Sequence, residues 1–147
     1  MDVPYDLKQT NYLQMKRICI DLDGVIAELK KEGQSYENLK PVLGAVDKLK
    51  QLKDNGHYII INTARNMKTC NGNTGKVLHN VGLITLEWLK KFEIPYDEIH
   101  FGKPWADLYI DDNAFRFDSW DTIKGDASNL PDSKESKFKN LTRGKEQ

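Results

Sequence analysis

A repeated arrangement constrains this chain more than any other feature. Short β-favouring runs stop at a carboxylate, a hydroxyl or an ammonium, and stretches of helical period separate them. The run beginning at Lys16 passes through Ile18-Cys19-Ile20 into Asp21 and Asp23, and Tyr58-Ile59-Ile60-Ile61-Asn62 ends at Thr63. Glu98 to Phe101 leads to Lys103, and Asp107 to Ile110 leads to Asp111 and Asp112. Between the first two runs Val42, Val46, Leu49 and Leu52 recur at helical spacing until Asn55-Gly56, a stop of the kind that ends helices. After a polar, glycine-bearing loop from Ala64 to Gly75, a second helical pattern carries Val77, Val81, Ile84, Leu86, Trp88 and Leu89 to about Phe92, and Pro95 ends it. Strands alternating with helices predict an α/β protein, Rossmann-like and three-layered around a central parallel sheet. The unbroken apolar run at Tyr58 to Ile61 predicts a strand covered on both faces.

The remaining segments are less regular. Met1 to Met15 show no sustained period and read as an irregular lead-in. Leu29 to Leu39, polar, containing Gly33 and followed by Pro41, reads as an excursion or hairpin-like flap beside the first acidic cluster. Past Trp120 the chain turns to Ser, Asp, Lys, Gly and Asn. A length of 147 residues suits one core. The expectation is one domain over residues 1–120 and a polar, flexible tail over 121–147.

Charge and composition exclude several classes of function. Lys plus Arg and Asp plus Glu both number 22, so no net field draws the chain to nucleic acid or anionic lipid. Lys134, Lys137, Lys139, Arg143 and Lys145 make the tail locally basic, but acidic residues interrupt them and the segment reads as solvated. No apolar run is long enough to cross a bilayer, and Asp2, Pro4 and Asp6 stand where a signal peptide needs apolar residues, so a cytoplasmic location is expected. Cys19 and Cys70 read as free thiols, since two cysteines are too few for a disulfide scaffold. His57, His79 and His100 lack zinc spacing, and Gly72 to Lys76 lacks the spacing and the final Lys-Ser/Thr of a P-loop.

In open parallel sheets, reactive groups gather outside the carboxyl ends of the strands. Asp21, Asp23, Thr63, Lys103, Asp111 and Asp112 all fall at such ends. Hard carboxylate oxygens suit Mg²⁺, which keeps several waters and takes one or two protein carboxylates plus a substrate phosphate. A hydroxyl and an ammonium complete a phosphate cradle, and phosphoryl transfer asks mainly for positioning and charge neutralisation. Taken singly, each residue could be a turn cap or a solvated charge. Their joint placement points to a site.

Asp21-Leu22-Asp23-Gly24-Val25, Asn62-Thr63-Ala64-Arg65, Gly102-Lys103-Pro104 and Tyr109-Ile110-Asp111-Asp112 resemble, in order, the four motifs of the haloacid dehalogenase-like phosphatase superfamily. The resemblance spans residues 17 to about 113. It implies that Asp21 attacks phosphorus and forms an aspartyl phosphate, with Asp23 as general acid and base. It further implies that Thr63 hydrogen-bonds the phosphoryl oxygens and Lys103 holds nucleophile and phosphate by charge. Mg²⁺ would lie beside Asp21, held by the Asp23 carbonyl and by Asp111 with Asp112; which of the last two touches the metal is left open. Receiver domains of signalling systems use the same residue kinds with the acidic pair first and Lys last, whereas here the adjacent pair comes last, after Lys103.

Many members of that superfamily carry an inserted cap domain. Here 42 positions separate Asp21 from Thr63 and 40 separate Thr63 from Lys103, each filled by one helix and its loops, so a capless member is expected. Such a site is open to large substrates, or closed by a partner subunit in a homo-oligomer, or closed by the 29–39 excursion. Phe101-Gly102-Lys103-Pro104-Trp105-Ala106-Asp107 through Ile110-Asp111-Asp112-Asn113, with Asn73-Thr74-Gly75-Lys76-Val77, resemble small phosphatases of capsular polysaccharide biosynthesis. That implies a small phosphorylated sugar or polyol as substrate. A nucleotide or polynucleotide end phosphatase is the alternative enzyme, and a Mg²⁺-binding phospho-acceptor module the alternative outside catalysis. Arg65, Asn66, Lys76 and Trp105, on loops flanking the motifs, are the expected substrate contacts.

Overall fold

A computed structural model describes residues 15–136. Three parallel strands, β1 (Arg17–Asp21), β2 (Tyr58–Thr63) and β3 (Glu98–Phe101), pair in chain order. The register sets Ile18 opposite Ile59, Ile20 opposite Ile61 and Asp21 opposite Asn62, while Thr63 lies opposite Phe101. All three strands therefore deliver their carboxyl ends to one edge of the sheet.

The crossover from β1 to β2 is α1 (Ala45–Asp54). The crossover from β2 to β3 begins as α2 (Thr74–Val77), widens into a π-helical turn at Leu78–Gly82 and continues as α3 (Leu83–Lys91). Right-handed crossovers that always step in one direction put both helices on the same face of the sheet. Burial follows that rule. Ile20, Ile59, Ile61 and Thr63 are buried beneath Leu49 and Leu52 of α1 and Trp88 and Leu89 of α3, whereas Arg17 and Cys19 on the alternate face are exposed and Tyr58, Ile60 and Asn62 are half-buried. Cover over the two faces is thus unequal among the described residues.

The helix ends obey their local chemistry. Gly44, with φ of 83°, precedes α1, and a Cβ there would stand 3.2 Å from Trp120 Cβ. Both the backbone angle and the close approach require glycine. At the other end Asn55 and Gly56 close α1 as its sequence predicts, with the Asn55 N–H donating to Gln51 O. Asp97 then ties α1 to the sheet, accepting from Lys53 Nζ at 2.7 Å and from Ile59 N at 2.8 Å.

Two expectations require revision. Asp107–Ile110 is not a fourth strand. Leu108, Tyr109 and Ile110 are exposed, the last by 94%, and among the described residues β1 remains an edge strand. Local bonds there replace a ladder: Tyr109 Oη donates to Pro104 O, and Asp111 Oδ1 accepts from Asn113 N at 2.7 Å. Second, the chain does not loosen at residue 121. Trp120, Ile123 and Ala127 belong to the core cluster, and Leu130 packs against it. Trp120 Nε1 donates to Val25 O at 2.8 Å, Lys48 Nζ to Ile123 O, and Asn55 Nδ2 to Gly125 O. His57 Nδ1 accepts from Lys16 N at 3.1 Å, so its Nε2 carries the hydrogen that reaches Asp126 O at 2.8 Å. A polar stretch docks because the domain satisfies its carbonyls. The 29–39 excursion is held at its C-terminal end: a 3₁₀ turn at Tyr36–Asn38 and buried Leu39, whose carbonyl accepts from Trp88 Nε1 at 2.8 Å, pin it to α3. The expected lead-in falls outside the described residues except for Met15, as does the chain after 136.

No helix of the described residues is long and apolar enough to cross a membrane. No large cap domain stands between the strands and their helices.

Trp120→Ala tests the docking of the C-terminal stretch. Removing this 2%-exposed side chain should cost about 3–5 kcal/mol of unfolding free energy, read from urea denaturation, whereas a loose tail would leave the midpoint unchanged.

Candidate active site

The site is built at the carboxyl edge of the sheet. Asp21 is the last residue of β1, and Leu22 N donates to its Oδ1 at 2.9 Å. The chain then turns sharply, with Ile26 N and Ala27 N both donating to Leu22 O at 2.9 Å. This turn carries Asp23 back toward the end of β2.

Lys103 enters from the end of β3. Its N–H donates to Thr63 O at 3.1 Å, extending the pairing of β2 with β3 by one bond. Gly102 before it, at φ of 97°, would set a Cβ 3.1 Å from Thr74 Cγ2, so the turn needs glycine. Lys103 Nζ lies 3.8 Å from Asp21 Oδ1 and 4.2 Å from the centre of the Tyr109 ring. Burial pushes the Asp21 carboxyl above the ordinary aspartate range; Lys103, the largest opposing influence, and the Leu22 N–H hold it down, and Asp23 adds to the rise.

Arg65 occupies a different place from the one its sequence position suggests. It is 3% exposed, with a side chain wholly shielded from solvent. Its Nε donates to both oxygens of Asp23 at 3.1 and 2.9 Å and its Nη2 to Asp23 Oδ1 at 2.9 Å. Nη1 donates to Thr85 Oγ1 on α3 at 3.1 Å, and the Tyr36 ring covers the guanidinium at 4.3 Å. Sequence reasoning missed Tyr36 and Thr85. Nothing in their local patterns marks them, since both act only through a partner distant in the chain.

Thr63, 1% exposed, uses its Oγ1 to accept from Arg65 N at 3.1 Å and thereby shapes the turn that carries Arg65. Asn66, at φ of 60°, accepts from Asn80 Nδ2 on the π-helical turn at 3.3 Å. Trp105 is half exposed, with Lys68 Nζ 4.6 Å from its ring centre. Lys76 is exposed on α2, its backbone N–H donating to the Asn73 cap at 3.1 Å.

The structure therefore brings together Asp21, Asp23, Thr63, Lys103 and Arg65. Asp111 and Asp112 follow Tyr109, whose ring faces Lys103, on the 107–113 loop. Both are exposed, and Asp112 pairs with Lys134 Nζ at 3.5 Å. No group of three His, Cys, Asp or Glu side chains able to hold a metal occurs among the described residues. The fork engages the Asp23 carboxylate and leaves its main-chain carbonyl, the expected Mg²⁺ ligand, outside it.

No family model matches the sequence, and no curated protein matches it. Among solved structures, the crystal structure of an MCSG target from Vibrio cholerae superposes with a TM-score of 0.64 at 34% identity, covering 88% of this chain and 99% of that one. A chain of the Pnkp1/Rnl/Hen1 complex gives a TM-score of 0.44 at 22% identity, over 67% of this chain and 31% of that chain. D,D-heptose 1,7-bisphosphate phosphatase from B. bronchiseptica, crystallised with magnesium and phosphate, gives 0.42 at 17% identity, over 59% and 49%. At TM-scores below 0.5 these last two likenesses say nothing about the chemistry of this chain. The first carries weight by both identity and coverage: the chain belongs to the same family as the Vibrio cholerae protein.

Proposed function

We propose that the protein is a capless phosphomonoester hydrolase of the haloacid dehalogenase-like superfamily, with Asp21 as its nucleophile. The observation that carries this reading is Asp21 at the end of β1 and Lys103 after β3, on either side of β2 and 3.8 Å apart, with a second carboxylate, Asp23, held in a guanidinium fork two residues away. A half-exposed carboxylate beside an ammonium suits attack on a dianionic phosphate, because the cation offsets repulsion between nucleophile and substrate.

In this reading an Asp21 oxygen attacks phosphorus, the ester P–O bond breaks, and the departing alkoxide takes a proton from Asp23. Asp23 then accepts a proton from the water that attacks the phosphorus of the aspartyl phosphate. Inorganic phosphate leaves and the Asp21 carboxylate returns. Lys103 neutralises charge on the transferred group, and Thr63 fixes the turn that supplies Arg65. The superfamily resemblance also implies Mg²⁺ held through Asp21, the Asp23 carbonyl and Asp111 or Asp112, and it belongs to this proposal as a requirement to be measured; no step above is routed through it.

A small phosphorylated sugar or polyol, in capsule or surface polysaccharide synthesis, remains the proposed substrate, by resemblance of residues 101–113 and 73–77. Exposed Trp105, with Lys68 over its ring, also suits stacking of a nucleobase, and this observation supports the polynucleotide-end alternative.

Phosphate release from sugar phosphates, nucleotides and 3′- or 5′-phosphorylated oligonucleotides, with and without Mg²⁺ and over a range of salt, separates these substrates. Release should be lost in Asp21→Asn and after chelation, and should depend weakly on salt for a sugar phosphate. Stable phosphorylation of Asp21 without turnover of any ester would favour the phospho-acceptor reading. The raised Asp21 carboxyl yields a second expectation. Attack needs the ionised form, so kcat/KM should fall on the acid side at a pH above the ordinary aspartate range. Lys103→Met removes the main influence holding that carboxyl down, so it should move the acid limb to still higher pH as well as lower the plateau; an unmoved limb in the pH–rate profile would assign the limb to another group.

A further inference from the structure

We propose that Arg65 is a positioning residue for Asp23, locked by Thr85 and Tyr36, which makes the 29–39 excursion part of the catalytic apparatus. The inference rests on the phosphatase reading above. Its basis is a difference in exposure within one ion pair. The Arg65 side chain is 0% exposed, while that of Asp23 is 24% exposed, so the arginine meets only protein and the carboxylate presents its remaining surface to solvent.

The guanidinium has three sets of N–H groups, and each is engaged. Nε and Nη2 take both oxygens of Asp23, and Nη1 takes Thr85 Oγ1. Thr85 is itself 0% exposed and fixed on α3. The Tyr36 ring lies over the guanidinium face at 4.3 Å. A fork of this kind sets the plane of a carboxylate, whereas a single contact leaves it free to rotate. Lysine, with one ammonium, cannot replace it.

The consequence is specific. Proton delivery to a leaving group requires the acid within hydrogen-bond reach and correctly aimed. Attack by Asp21 does not depend on Asp23. Loosening the clamp should therefore harm substrates whose leaving group must be protonated, and spare those whose leaving group departs as a stable anion, up to formation of the aspartyl phosphate.

The test compares kcat/KM for a hexose 6-phosphate and for p-nitrophenyl phosphate in the wild type, Arg65→Lys, Thr85→Val and Tyr36→Leu. Since kcat/KM covers only steps through transfer to Asp21, the alkyl ester should lose on the order of 10²-fold in Arg65→Lys, and the aryl ester less than about tenfold. Because hydrolysis of the intermediate also needs Asp23, the variant should release nitrophenolate in a burst followed by slow turnover. Tyr36→Leu, at a half-buried position, should show the same selectivity with a smaller loss and keeps the test available if Arg65→Lys does not fold. An equal loss on both esters with no burst, in Arg65→Lys and Tyr36→Leu alike, would show a structural role only and overturn the proposal. A wild type that hydrolyses neither ester would overturn the phosphatase reading, and this inference with it.

Discussion

The parallel pairing of β1 with β2 in a single register is the constraint on which the rest of the site depends. Because Ile18 and Ile20 stand opposite Ile59 and Ile61, one buried face is shared by both strands, and a slip of one residue would turn that face outward. The same register fixes Asp21 level with Asn62, so the nucleophile candidate arrives beside the residues that follow β2. Pairing of Thr63 with Phe101 does the same for Lys103 on the other side. The apolar alternation that folds the sheet thus also aligns its reactive ends.

Charge is then distributed so that burial can be tolerated. Arg65 is a buried cation, and an unpaired one would cost several kcal/mol, so the fork to Asp23 is a condition of folding as well as a feature of the site. Asp21 is handled differently. It keeps a single distant cation, Lys103 at 3.8 Å, and a main-chain donor, and its desolvation prevails over both. One carboxylate is therefore fixed in plane by a guanidinium and the other faces an ammonium. A pair of acids two residues apart acquires two environments through their partners, not through any difference in their own chemistry.

Much of this was legible in the sequence where periodicity reports burial. Tyr58–Thr63, the 45–54 helix and its Asn55-Gly56 stop follow from local pattern, as does the placement of Asp21 and Lys103 at strand ends. Asp107–Ile110 shows where pattern fails: four residues of strand composition form a strand only with a partner, and the bonds of Tyr109 and Asp111 to their own loop supply an alternative. The 120–130 stretch shows the opposite error, since Trp120, Ile123 and Ala127 bury enough apolar surface to dock a segment of polar composition. Arg65 was visible as a residue near the motifs, but its direction was not, because Tyr36 and Thr85 reach it from 29 and 20 positions away.

The central claim is that a covalent bond forms between Asp21 and phosphorus. Acid quenching during turnover of a hydrolysed phosphomonoester, followed by borohydride reduction and peptide mass analysis, tests it directly. Reduction of an aspartyl phosphate converts that aspartate to homoserine, and the account predicts the change at Asp21 alone, absent when substrate is omitted. Homoserine at another carboxylate, or an unmodified Asp21 during steady turnover with the intermediate trapped elsewhere, would contradict it.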